Sequence, residues 1–180
     1  SDARSVVMTG AGTVDIGSGD TLTLSGVVSS TGALTKSNAG TLVLSGENTY
    51  SGGTVISGGT VSVAADSGLG NASGSLTMNG GTLNASTGFT DTRSVALTGA
   101  GTFDVDSSQT LTLGGLVSGT GALSKTGAGD LWLTGANTYT GGTTASSGKL
   151  IGTTTSIQGN VTNNATVEFN QSTNGSYSDV

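Results

Sequence analysis

The side chains that could do chemistry in this chain are few. Histidine and cysteine are absent, and 5 basic residues stand against 11 acidic ones. Without them a Ser-His-Asp or Cys-His site is excluded within these residues, as are disulfides and thiolate metal sites. A Ser-Lys pair would have to use Lys36, Lys125 or Lys149. Lys36 and Lys125, however, stand at the same place in two related stretches, and a duplicated active site is an odd expectation. Asp104 and Asp106 are two apart and so share one face of a strand, the arrangement to look for in paired carboxylates for glycoside cleavage. Gly17 stands where the related stretch would need the second of them. Asp20 and Asp130 follow glycine-rich triplets, as in glycine-aspartate calcium coils. Such coils need tandem acids to gather six or more oxygens, and here each Asp is alone, with Gln109 and Thr41 as its counterparts. The Gly-Ala-Gly triplets at 10–12 and 99–101 precede strand-like sequence, whereas a phosphate loop needs a following helix. Sequons at Asn71, Asn84, Asn160, Asn164, Asn170 and Asn174 fit the preference of Asn for turns. The reading therefore assigns no catalytic, cofactor-binding or metal residue. Asn48 with Asn137 and Tyr50 with Tyr139 are read as structural, Asn at a corner and Tyr over the edge of the core. A ligand-facing ladder is the alternative. Trp132, between Leu131 and Leu133, is expected to face outward and is the one aromatic suited to contact a partner.

The elements behind these residues are strands. Glycine numbers 33 and charged residues only 9%, a composition that could signal disorder. Yet Thr-Leu-Thr-Leu, Thr-Leu-Val-Leu and Thr-Val-Ser-Val keep a period of two, and β-branched residues favour pleated strands. No run alternates at helical spacing. Residues 2–63 align without a gap onto 91–152, with 36 of 62 positions identical, so a repeat architecture comes first. Within it lies a period near 20. Val14, Leu34, Val55 and Leu76 form one expected inward column, continued by Phe103, Leu123 and Thr144. Leu22, Leu42, Val61 and Leu83 form another, continued by Leu111, Leu131 and Leu150. The surplus between Leu76 and Phe103 is assigned to a loop at Ser86 to Thr92. A ~20-residue period predicts an all-β parallel β-helix, a solenoid of about 8–9 coils. An antiparallel sandwich is the alternative. Leucine-rich repeats want a Leu-x-x-Leu-x-Leu spacing that does not recur. Residues 1–180 read as one segment of a longer rod, with 64–90 and 153–180 as linking coils and Ser178-Asp179-Val180 opening another unit.

The two copies then carry a resemblance. Leu34-Thr35-Lys36, Gly40 to Gly46, Asn48-Thr49-Tyr50 and Gly52-Gly53-Thr54 follow in the order of the autotransporter-associated β-strand repeat, or passenger-associated transport repeat. The family's Lys-x-Gly-Ala-Gly phrase is intact at Lys125 to Gly129. Lys36-Ser37-Asn38-Ala39-Gly40 departs from it by an Asn that tolerates positive φ. The resemblance implies a right-handed β-helix in the passenger of a Gram-negative type V secreted protein. It also implies a signal peptide before the segment, an outer-membrane translocator barrel after it, and a cell-surface or secreted location.

Function follows as an expectation. Net charge −6 argues against nucleic acid and anionic membranes, and no apolar run approaches a membrane span. The segment is expected to be a non-enzymatic stalk that supports export and display. An adhesin segment, binding a host surface or neighbouring passengers, is the alternative. A polysaccharide lyase on the same fold is the third reading.

Overall fold

The computed structural model describes residues 3–177. Asp2, the first residue of the aligned repeat, and residues 178–180, expected to open another unit, lie outside them. Every strand pairing is parallel, and each strand pairs with one about twenty residues away. That is the pattern of a solenoid of about eight turns, in which no coil closes its own core and each covers its neighbour.

Three faces make up each coil. One is an eight-stranded sheet from Thr21–Leu24 through Thr41–Leu44, Thr60–Val63, Thr82–Ala85, Gly101–Val105, Leu123–Thr126 and Thr143–Ala145 to Val161–Asn163. At the ~4.8 Å spacing of paired strands its seven steps make a rod about 34 Å long. The second is a six-stranded sheet from Gly12–Asp15 through Leu34–Ser37, Thr54–Ile56, Leu76–Met78 and Val95–Leu97 to Val117–Gly119. The third face is interrupted. It starts as a pair, Val6–Val7 with Val28–Ser29, and continues irregularly where Thr49 N–H donates to Val28 O and Asn71 N–H to Tyr50 O. A 3-10 turn at Asp66–Leu69 follows. The face resumes as a five-stranded sheet from Phe89–Asp91 through Thr110–Leu113, Asp130–Leu133 and Lys149–Gly152 to Thr166–Phe169.

Alternation drives the core. In Thr41–Leu44 the leucines are buried while Thr41 and Val43 are part-exposed, and Asp130–Leu133 repeats this with Leu131 and Leu133. Stacking makes a continuous column of Leu22, Leu42, Val61 and Leu83, as expected, but it runs on into Phe103 and not into Leu111, Leu131 and Leu150, which stack in the five-stranded sheet. The other expected column does not form: against Leu34, Val14 is two residues out of register and Val55 one. Val14 lies beside Lys36 and then Ile56, while Leu34 lies beside Thr54 and then Leu76. Val55 is therefore turned away from the core, and Thr54 and Ile56 point in. Likewise Phe103 lies beside Lys125 and Ala145, and Leu123 beside Thr143. The stretch assigned to a loop at Ser86 to Thr92 contains the strand Phe89–Asp91. The apparent surplus arises because Leu76 and Phe103 belong to different faces, so the step between them is a coil plus one face.

The same offset governs the two repeat copies. Thr21–Leu24 sits in the eight-stranded sheet, but its counterpart Thr110–Leu113 sits in the five-stranded one. Gly12–Asp15 sits in the six-stranded sheet, and its counterpart begins Gly101–Val105 in the eight-stranded one. From Leu22 to Phe103 are four coils, and Leu111 lies one face further on. The 89-residue repeat is thus four coils and a third, so the second copy is turned by one face about the rod.

Candidate functional site

The residues that define the repeat converge on two devices, and both lie inside the rod. The first closes a corner. Lys36 and Lys125 occupy inward positions of their strands and are 0% exposed. An isolated buried ammonium would be unfavourable by several kcal/mol. Here its three N–H bonds point at the corner that follows. Lys36 Nζ donates to the carbonyl oxygens of Ser37 (2.7 Å), Asn38 (2.8 Å) and, one coil on, Gly58 (3.3 Å). Lys125 Nζ donates to those of Thr126, Gly127 (2.9 Å) and Ser147 (3.3 Å). Burial pushes both amines below their ordinary pKa. Asp15 opposes this at Lys36, and Asp104 and Asp130 oppose it at Lys125. The carbonyls converge because Asn38 (φ 61°) and Gly127 (φ 75°) turn the chain in the left-handed region, which Asn and Gly adopt most readily. The Asn that departs from the family's phrase thus serves the same corner. With its donors committed to backbone oxygens, neither lysine is placed to activate a serine.

The second device links three coils. Asn48 Oδ1 accepts from Val28 N–H (2.8 Å) in the coil before, and its Nδ2 donates to Gly68 O (2.7 Å) in the coil after. Asn137 does the same between Val117 N–H (2.9 Å) and Ser156 O (2.7 Å). Two residues on, Tyr50 and Tyr139 are wholly buried rather than at the core's edge. Their hydroxyls meet Thr54 Oγ1 (2.8 Å) and Thr143 Oγ1 (2.7 Å), which donate onward to Leu69 O (3.0 Å) and Gln158 O (2.8 Å). Burial pushes the Tyr50 phenol up to about 12, against its hydrogen bond with Thr54 and the charge of Arg93, and raises Tyr139 as well. A ligand-facing Tyr ladder is ruled out by this geometry. Thr54 and Thr143 were not singled out from sequence. Their signal was present in the alternation Thr-x-Ile and Thr-x-Ala, whose first inward member is polar.

What remains for partners is the outer surface. On the eight-stranded sheet Thr21, Thr41, Thr60, Thr82, Thr102, Ser124, Thr144 and Thr162 stack in one outward column. Beside it Ser62 donates to Asn84, whose amide donates to Asp104 (2.9 Å) and Asp106 (2.9 Å), while Thr126 donates to Asp104 (2.9 Å). The two carboxylates do share a face, but they are held by this ladder and by one amide between them. Trp132 is 38% exposed on the five-stranded sheet, with Thr112 and Ile151 as its rung neighbours. In the adjoining column Lys149 pairs with Glu168 at 3.2 Å, both on the surface. Asp20 is exposed, and Asp130 is flanked by Thr110 and Lys149. Among the described residues no cluster of three or more acidic side chains is placed to hold a metal ion. Gly12 and Gly101 each open a strand, so neither Gly-Ala-Gly triplet leads into a helix. Two grooves lie near the C-terminal end. One, of about 600 Å³, is lined by residues 138–142 and 158–160, and the other, of about 410 Å³, by residues 153–155 and 170–175. No charged side chain lines either. No helix among the described residues is long and apolar enough to cross a membrane.

Comparison with known proteins matches these devices to a family. The Passenger-associated-transport-repeat model matches residues 34–63 and 123–151, the stretches that carry the lysine corner, the Asn-Thr-Tyr link and the buried Thr. The chain is 47% identical over 91 residues to an adhesin, BmaC autotransporter, of Brucella suis biovar 1 (strain 1330). The match covers 50% of this chain and 3% of that protein. No solved structure matches. The chain thus carries two passenger-associated-transport repeats and, over half its length, is similar to an autotransporter adhesin.

Proposed function

We propose that the segment is a structural stalk of a bacterial surface passenger, supporting export and display of what the rod carries. The observation behind this is where the repeat's defining side chains are spent. Lys36, Lys125, Asn48, Asn137, Tyr50 and Tyr139 are all buried and bind backbone of their own or adjoining coils. Such residues set the stability of each coil upon the last, which suits a chain that folds progressively as it emerges. On this reading the segment is one rod, with 64–90 and 153–180 as linking coils. It is not an enzyme, and takes no cofactor. Its partner in the wider protein is the outer-membrane translocator barrel, beyond these residues. The location is the surface of a Gram-negative bacterium, or the medium after release.

A second reading is an adhesive segment that binds a host surface or neighbouring passengers. It is supported by exposed Trp132, by the outward hydroxyl column, and by the name adhesin carried by the Brucella relative. The purified segment, tested for attachment to host cells and for self-association, separates the two. A stalk gives neither, and an adhesive segment gives one of them, reduced in Trp132→Ala.

A further inference from the structure

The third face breaks where the first repeat hands over to the second, and the break contains charges the stalk does not explain. Asp91 and Arg93 lie at the end of the strand Phe89–Asp91, 1% and 4% exposed. Arg93 Nη1 reaches Asp66 Oδ1 in the 3-10 turn at 2.8 Å and Asp91 Oδ2 at 3.4 Å. Its Nη2 lies 3.4 Å from Gly70 O. Asp91 Oδ1 accepts the Arg93 N–H at 2.8 Å. Asp91 Oδ2 and Arg93 Nε are buried without a hydrogen-bond partner. Asp66 is the outer member, with its side chain 32% exposed. Two carboxylates thus compete for one guanidinium, and the better placed one belongs to the segment that fills the gap in the face.

We propose that Asp66, Asp91 and Arg93 form a pH-responsive latch that fastens residues 64–75 onto the rod, tight in mild acid and looser at neutral pH. With Asp91 ionised the cluster carries net charge −1 in a buried setting. Protonation of Asp91 leaves Arg93 and Asp66 as a matched pair. The groups facing Asp91 are Arg93, Asp66 and, through Arg93, the neutral phenol of Tyr50. Burial raises the Asp91 carboxyl to about 6, against the opposing charge of Arg93, and Asp66 adds to the rise. A folded-state value above the open-state one means that protons favour the closed form. Closure is therefore strongest in acid and weakens as pH rises through about 6.

Hydrogen exchange of the 180-residue chain tests this, with rates corrected for intrinsic exchange. The opening constant of residues 64–75 should rise about tenfold from pH 5 to pH 8, while residues 101–105 of the eight-stranded sheet stay constant. Asp91→Asn should abolish the rise. A rise that persists in Asp91→Asn, or no rise in the parent, overturns the proposal. Carbon-13 titration of the Asp91 carboxyl in the parent chain needs no variant to fold. A midpoint near 6 supports the latch, and one in the ordinary carboxylate range defeats it.

Discussion

Replacing Lys125 with methionine keeps the length and apolar stem of the side chain and deletes the ammonium. The carbonyls of Thr126, Gly127 and Ser147, in part-buried residues, then lose their shared donor. A buried acceptor stripped of its partner costs about 1–3 kcal/mol. Gly127 O keeps the Ser147 hydroxyl as a donor, so two acceptors at the lower figure give about 2 kcal/mol. Relief from burying a charge offsets part of this, leaving roughly 1–2 kcal/mol of destabilisation. For a chain of this size that corresponds to a fall in Tm of roughly 3–7 °C. Thermal unfolding followed by circular dichroism measures it. Lys36→Met should behave alike. The two lysines lie four coils apart on different faces, so the double variant should be additive within about 0.5 kcal/mol. If Lys125→Met is as stable as the parent, or more so, the ammonium does not hold the corner and the reasoning fails.

The remaining predictions concern the same frame. A Cβ at Gly129 would lie 2.2 Å from Asp106 O, whereas one at Gly10 meets nothing within 4 Å. Gly129→Ala should therefore cost about 1–3 kcal/mol by overpacking and Gly10→Ala less than about 0.5 kcal/mol, as chemical denaturation would record. The Tyr50 phenol, raised to about 12, holds its proton longer folded than unfolded. Stability present below pH 10 should then drop by up to about 3 kcal/mol as pH climbs from 10 to 12, with Tyr50 ionisation delayed in ultraviolet difference spectra. The absence of cysteine allows clean spin labelling. Thr41→Cys with Thr102→Cys, three steps apart in one outer column, should give backbones about 14 Å apart by dipolar EPR. Thr41→Cys with Asp130→Cys, on different faces, should give a clearly longer distance.

Much of this was legible in the sequence, and the failures share one cause. The strand alternation and the column Leu22, Leu42, Val61, Leu83 followed from apolar spacing alone, because those inward positions are purely apolar. The neighbouring column slipped because apolarity chose Val14, Leu34 and Val55, while the core accepts Lys36 and Thr54 at inward places. Neither is apolar. Each is admitted because backbone oxygens satisfy its polar atoms, from its own corner and the next coil for Lys36 and from the next coil for Thr54. The turn of one face between copies was invisible for a related reason. Identical sequence fixes identical strands, but the face on which a strand lands depends on the residues accumulated over four coils. Asn48 was read at a corner and Tyr50 over the core's edge, and their depth depends on Gly68 and Thr54. The Asp66–Arg93–Asp91 cluster was missed although Asp91 and Arg93 repeat Asp2 and Arg4, because the third member, Asp66, comes from the break in the third face.

The central claim is that the repeat's signature serves the rod from within and not a ligand from without. Surface display of an epitope fused ahead of the passenger, read by flow cytometry on intact cells, tests it most directly. Lys36→Met with Lys125→Met should lower display markedly, and Trp132→Thr with Asp104→Ser should leave it at the parent level. Undiminished display in the lysine pair, together with a loss in the outer-face pair, would contradict the account.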